Sequence, residues 1–224
     1  MATFRFLRGG GGERIDRIEG KVREMLMHDR HEFDLAMAAL LGDVAARDVN
    51  DEVRSTDQKV NLAEREIRRD LVVHASVFGA IEIPTVLIYM SIVKDIERVG
   101  DYAKNLIDLA LDGANFGEVP DAQEWRDLAK EVSEFISEAA EAFATRDSEV
   151  SRRLMTQGDE MLNLFDERVS ALVGGTDQGP QAIARALAFR YVKRVVAHLL
   201  NMLTAVVMPI HRLDYFDSDP EDRR

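Results

Sequence analysis

Glu97 and Asp101 stand four residues apart within Val93-Lys94-Asp95-Ile96-Glu97-Arg98-Val99-Gly100-Asp101-Tyr102-Ala103-Lys104-Asn105-Leu106. In a helix that spacing puts both carboxylates on one face, roughly 40° apart and one turn above each other. Like charges so placed repel by roughly a few tenths of a kcal/mol, so the pair calls for a nearby cation or for open water. Gly100 lies between them. In mid-helix it costs about 1 kcal/mol against alanine, which close approach of a neighbouring helix would justify. Earlier in the chain Asp57, Asn61 and Glu64 fall at i, i+4 and i+7 and form one polar ridge, by default a solvated face. His28 and His31, with Asp29 and Glu32 interleaved, are read as exposed polar decoration rather than as a metal pair.

These groups need helices to hold them, and the apolar spacing supplies six. The first runs from Glu13 to about Ala46 through Ile15, Ile18, Val22, Met25, Leu26, Phe33, Ala36, Met37, Leu40 and Leu41, with a break at Arg47-Asp48. A second spans about 50–76, with Val53, Val60, Ala63, Ile67, Leu71 and Val72 as its stripe. Pro84 opens the third, whose buried stripe is Tyr89, Ile92, Ile96, Gly100, Ala103 and Ile107. Glu97 and Asp101 fall at the edge of that stripe, partly shielded. Gly113, Gly117 and Pro120 mark a boundary between halves. The fourth helix carries Trp125, Leu128, Val132, Phe135, Ile136, Ala139 and Phe143; the fifth covers about 148–173 and the sixth about 181–211. No strand-like alternation bounded by turns occurs, so the expected fold is all-α.

The two halves match helix for helix. Ala45-Ala46-Arg47-Asp48 recurs as Ala144-Thr145-Arg146-Asp147, and the ridge of Asp57, Asn61 and Glu64 recurs as Asp159, Asn163 and Asp166. On the third helix of each half, Glu97 aligns with Lys193, Asp101 with Ala197 and Asn105 with Asn201. Two tandem three-helix bundles related by internal duplication follow, over residues 13–113 and 121–212. Only the first keeps both carboxylates. In the second, Lys193 is expected to hold the ridge acids by a salt bridge in place of a cation.

Composition narrows the partners. A net charge of −12 in 224 residues argues against a nucleic-acid backbone. Without cysteine, a metal would need oxygen or imidazole ligands. Residues 1–8 are too short and too basic for a signal peptide, and no run of 18 apolar residues suggests a membrane-crossing helix. A soluble, cytoplasmic protein is expected. Residues 1–12, with Phe4, Arg5, Phe6 and Arg8 before a glycine run, read as a flexible arm; the sharper reading is a docking arm for a partner or a membrane surface. Residues 213–224 read as an acidic disordered tail.

The stretch from Asp95 to Leu106 resembles the Leu-Glu-Arg-Ile-Gly-Asp-His-Ala signature of the PhoU family of phosphate-uptake regulators. The ridge from Asp57 to Glu64 and the tandem three-helix units extend the likeness over roughly residues 13–212. The resemblance implies a cytoplasmic adaptor that damps phosphate uptake and phosphate-starvation signalling. Its implied partners are a phosphate ABC transporter and a membrane sensor histidine kinase, with membrane association only through them, and a homo-oligomer such as a dimer. It also implies a metal at the acid motif, of iron, manganese, magnesium or zinc type, with Glu97 and Asp101 as ligands and Asp57, Asn61 and Glu64 as neighbours. The chain departs from the family at Lys193 and Ala197. It also departs at Glu82-Ile83-Pro84, where the family has Asp-Leu-Arg.

Two other classes compete. A metal-dependent hydrolase or di-iron carboxylate enzyme would need a Glu-x-x-His repeat, or for nucleotides a phosphate-cradling glycine loop; the chain has neither. A metal-free structural bundle would simply pair Glu97 and Asp101 with Lys94, Arg98 and Lys104 on neighbouring turns.

Overall fold

The computed structural model describes residues 12–177 and 179–213. The arm and acidic tail lie outside them, except for Gly12 and Leu213. Six long helices account for most of the described chain, with no strand among the described residues. They are α1 (Gly12–Leu40), α2 (Ala46–Phe78), α3 (Ile83–Leu111), α4 (Ala122–Thr145), α5 (Ser148–Val173) and α6 (Ala182–Val207). Short 3₁₀ turns cover Gly79–Glu82, Phe116–Glu118 and Ile210–Arg212.

Helix ends follow local chemistry. Gly42 takes φ 74°, a left-handed conformation that costs glycine little, and it stops the chain just after α1. The first break therefore comes before Ala46 rather than at Arg47-Asp48, and Ala46, Arg47 and Asp48 open α2. In the second half the matching break does fall at Arg146 (φ 54°), and the Asp147 side chain accepts from the amides of Glu149 and Val150 to cap α5. Pro84 sits in the first turn of α3. Extended Met208, followed by Pro209, ends α6 at Val207, short of residue 211.

In each half the three helices pack on one another, α1 with α2 and α3, and α5 with α6 and α4. The halves join where α3 packs on α6 and α1 on α4, and a single hydrophobic cluster runs through both. Partners set the directions. Lys21 meets Glu66 and Asp70 while His31 meets Glu52, so α1 and α2 are antiparallel. Arg54 meets Asp108 and Lys104 meets Asp57, so α2 and α3 are antiparallel as well. Tyr89 donates to Glu19, while Asp29 and Glu32 face Gly100, so α1 runs parallel to α3. Across the seam Asp95 meets His198 and Asn201, and Tyr102 meets Tyr191, so α3 and α6 are antiparallel.

The stripes on α3 and α4 are buried as their spacing requires. Tyr102 packs across the α3–α6 seam, its ring stacked on His198 at 5.7 Å. Two expectations are corrected. Val72 is 59% exposed, not part of the α2 stripe. Finally, residues 46–111 do contain a stretch long and apolar enough to cross a membrane by length and composition. Scattered Ser, His, Gly and Glu hide it from a count of unbroken apolar runs. The chain turns back at Gly79–Glu82, so the stretch is the two arms of a hairpin.

Candidate functional site

The candidate site lies in the first half, where α1, α2 and α3 face one another below the hairpin. Glu97 and Asp101 come from α3, Asp57, Asn61 and Glu64 from α2, and all but the half-exposed Asn61 and Asp101 are buried. Their repulsion is met by lysine. The Lys104 ammonium bridges Asp57 Oδ1 at 2.8 Å and Asp101 Oδ1 at 2.9 Å, linking α2 to α3. Lys94 Nζ donates to Glu97 Oε2 at 2.6 Å. Asn61 Nδ2 donates to Asp57 Oδ2 at 2.9 Å, and Arg68 pairs with Glu64 at 3.0 Å. Lys104 is held more firmly protonated: partial burial opposes this, but the bonds to Asp57 and Asp101 outweigh it.

Two residues read as surface decoration belong to this site. Asp29 and Glu32 of α1 are fully buried, and none of their four carboxylate oxygens has a hydrogen-bond partner. They reach α3 at Gly100. A Cβ there would stand 2.9 Å from Asp29 Oδ1 and 3.5 Å from Glu32 Oε2, so the bare glycine leaves room for the acids. Burial, reinforced by the charges of Glu32, Asp57, Glu97 and Asp101, pushes the Asp29 carboxyl well above the usual aspartate range. Glu32 is pushed up to about 8, mainly by burial and then by Asp57, with Lys104 opposing. The five acids of α1, α2 and α3 therefore feel one another as one set. A signal for the two missed residues was present. Ile18, Val22, Met25, Asp29, Glu32 and Ala36 alternate by four and three, which puts both acids on the buried seam of α1. His28 and His31 lie off that seam; His31 is exposed and meets Glu52 at 2.7 Å.

In the second half Lys193 Nζ contacts Asp166 Oδ2 at 2.5 Å, with Arg190 at 3.4 Å, so a lysine holds the ridge acid there. Asn163 is exposed and Asp159 half-buried. Asn201, aligned with Asn105, instead works at the seam: its amide donates to Asp95 Oδ1 at 3.1 Å, beside His198 Nδ1 at 2.8 Å on the same oxygen. Asp95 thus ties the halves together, a role its place in the motif does not reveal.

The oxygen donors of the first half fit a hard cation in kind. Their arrangement is another matter. Among the described residues no three acidic or histidine side chains converge as metal ligands would, and Lys104 takes the place between Asp57 and Asp101.

An all-helical, internally duplicated pair of bundles with a buried acidic face on its first half defines the class of helical-bundle protein to which this chain belongs. Residues 15–110, which contain that whole face, match the family model described as PhoU domain. The chain is 27% identical over 199 residues to the phosphate-specific transport system accessory protein PhoU homolog of Deinococcus radiodurans, covering 86% of this chain and 85% of that one. A homolog of the same description from Pseudomonas aeruginosa is 25% identical over 170 residues, 73% of this chain and 70% of that one. In fold, the chain is similar to crystal structures of PhoU from Pseudomonas aeruginosa (TM-score 0.77, 22% identity, 90% of this chain and 99% of that one) and Streptococcus pneumoniae (TM-score 0.68, 13% identity, 90% and 95%). Residues 15–110 thus match the PhoU domain, and the chain as a whole is similar to PhoU proteins in sequence and in fold.

Proposed function

We propose that this protein is a cytoplasmic, non-catalytic adaptor that regulates phosphate uptake and phosphate-starvation signalling through contacts with a phosphate transporter, a sensor kinase or both. The observation that carries the reading is the acidic face of α2 and α3, which lies wholly within the PhoU-matched residues 15–110. Its support is the similarity to relatives described as accessory proteins of the phosphate-specific transport system. The chain's net charge of −12 suits recognition of a basic protein surface. Affinity purification from phosphate-replete and phosphate-starved cells tests it. Recovery of transporter or kinase subunits in a phosphate-dependent way is expected; recovery of neither in both states would sink the role. A phosphatase assay with and without Mn²⁺ tests the catalytic alternative, which turnover lost in Glu97→Gln would restore. A homo-oligomer belongs to the same proposal and is read by sedimentation.

A second reading adds a divalent or iron-type cation. It is favoured by the four unpartnered oxygens of Asp29 and Glu32, within electrostatic reach of Asp57, Glu97 and Asp101. Such an ion would take over the charge balance now supplied by Lys104. Elemental analysis of the purified protein, compared with Asp101→Ala, tests it: metal absent from both leaves the metal-free bundle.

A further inference from the structure

The apex where α2 turns into α3 bears no charged surface. Across residues 71–88 the exposed large side chains are Val72, Val73, Val77, Ile81, Ile83 and Leu87, with Val77 at 64% and Ile81 at 68% exposure. Ser76 is the sole exposed polar side chain in that range, and its hydroxyl donates to the Val72 carbonyl at 2.8 Å. The two titratable residues of the range are turned inward: His74 and Glu82 are buried and face each other, Nε2 to Oε2, at 3.5 Å. A soluble helical hairpin ordinarily exposes charge at its tip, because an apolar patch left in water costs free energy without return.

We propose that this apex seats directly in the interfacial layer of a lipid bilayer. Four observations select lipid over a protein groove. The apex is a convex hairpin end, and the cavities of about 380 and 270 Å³ are lined by other residues, on α5–α6 and α1–α4. Its composition, apolar enough to cross a membrane, belongs here to a chain that reverses at Gly79–Glu82 and so can dip but not span. At 1.5 Å per residue, the exposed apolar arms 72–79 and 80–87 reach about 10 Å, the depth to which interfacial helices bury their apolar faces. Behind them on α2 stand Arg65 and Arg69, exposed and without an ion-pair partner among the described residues, at the level of lipid headgroups. Glu13 and Asp16 at the start of α1 share that end, so apolar burial outweighs charge in the binding. Gly12 is there too, because α1 is antiparallel to α2; the basic and aromatic residues Phe4, Arg5, Phe6 and Arg8 precede it in sequence. The proposal stands apart from the adaptor reading, since lipid binding needs no transporter.

The full chain should sediment with vesicles of phosphatidylcholine mixed with phosphatidylglycerol, and less with phosphatidylcholine alone. Val77→Ser/Ile81→Ser, at exposed positions that leave the core intact, should weaken that partitioning by about tenfold or more. Arg65→Gln/Arg69→Gln should weaken it only for the anionic vesicles. In a separate Ile81→Trp protein, emission should shift to the blue on adding vesicles, against the constant background of buried Trp125. That readout stands even where the serine pair fails to fold. Absence of vesicle binding and of the blue shift would overturn the proposal. Equal binding by the serine variant, or loss confined to Phe4→Ser/Phe6→Ser, would do so as well. The opposite end of the molecule carries the apolar α5–α6 groove, so head-to-tail assembly of the protein, abolished by Val77→Ser/Ile81→Ser in the absence of vesicle binding, would assign the apex to a second copy instead.

Discussion

Glu32 ionises at a cost because burial takes its carboxyl out of water and the charges of Asp57 and Asp101 oppose another, with Lys104 offsetting part of this. An acid whose folded-state value is raised holds its proton longer when folded than when unfolded. Stability is therefore full below the ordinary glutamate value of 4.5 and is lost as pH rises to about 8. Thermal melts across that window should show the decline, at a slope approaching about 1.4 kcal/mol per pH unit. In Glu32→Gln, which carries no charge to bury, the decline should flatten, leaving the part due to Asp29. Lys104 acts in the opposite sense. Lys104→Met leaves Asp57 and Asp101 facing each other without their shared ammonium. A loss of about 1 kcal/mol near neutral pH is expected, shrinking in acid as the carboxylates take up protons. Titration calorimetry with Mn²⁺ should show binding strengthened in that variant; unchanged or weaker binding would remove the cation reading. Glu97 and Asp101 were legible from spacing alone, since i, i+4 fixes a shared face wherever the helix goes. Asp29 and Glu32 are harder to read, because polar residues in mid-helix ordinarily mark a solvated face even where their spacing follows the buried seam.

The elements begin and end where short-range chemistry says. Asp147 caps α5, its carboxylate accepting two amides at 2.9 and 3.0 Å. Asp147→Ala should cost about 1 kcal/mol in chemical denaturation. The first-half break falls at Gly42 rather than at Arg47-Asp48 because Gly42 takes a left-handed backbone and Ala45 to Asp48 carry no such demand. Gly158 makes a tertiary demand rather than a local one: a Cβ on α5 would lie 2.6 Å from Leu200 Cδ2 of α6. Gly158→Ala should destabilise by about 1–3 kcal/mol despite alanine's better helix propensity. A gain in melting temperature would show that α6 yields at this point.

The molecule joins its halves through shared core rather than through a linker. α3 packs on α6 and α1 on α4, and the Asp95 carboxylate takes both His198 and Asn201 across the seam. Asp95→Ala should cost about 1–3 kcal/mol, since it strands two partners of a largely buried acid. A fragment of residues 12–113 exposes the α6-facing side of α3, so it should keep helical circular dichroism while binding a hydrophobic dye. A fragment that melts cooperatively without dye binding would make the first bundle an independent domain.

Helix number, the duplication and the spacing of the anionic pair were determined by sequence, because each rests on spacing within one helix or between copies of one. Tertiary structure decided what spacing cannot carry: that Asp29 and Glu32 point into the acidic face, that Tyr102 stacks on His198, that Asp95 spans the seam, and that the apolar hairpin tip stays uncovered. The physical reason is the same for all four. Which side of a helix is buried follows from its own pattern, but what it is buried against, or whether anything covers it, depends on helices distant in the chain.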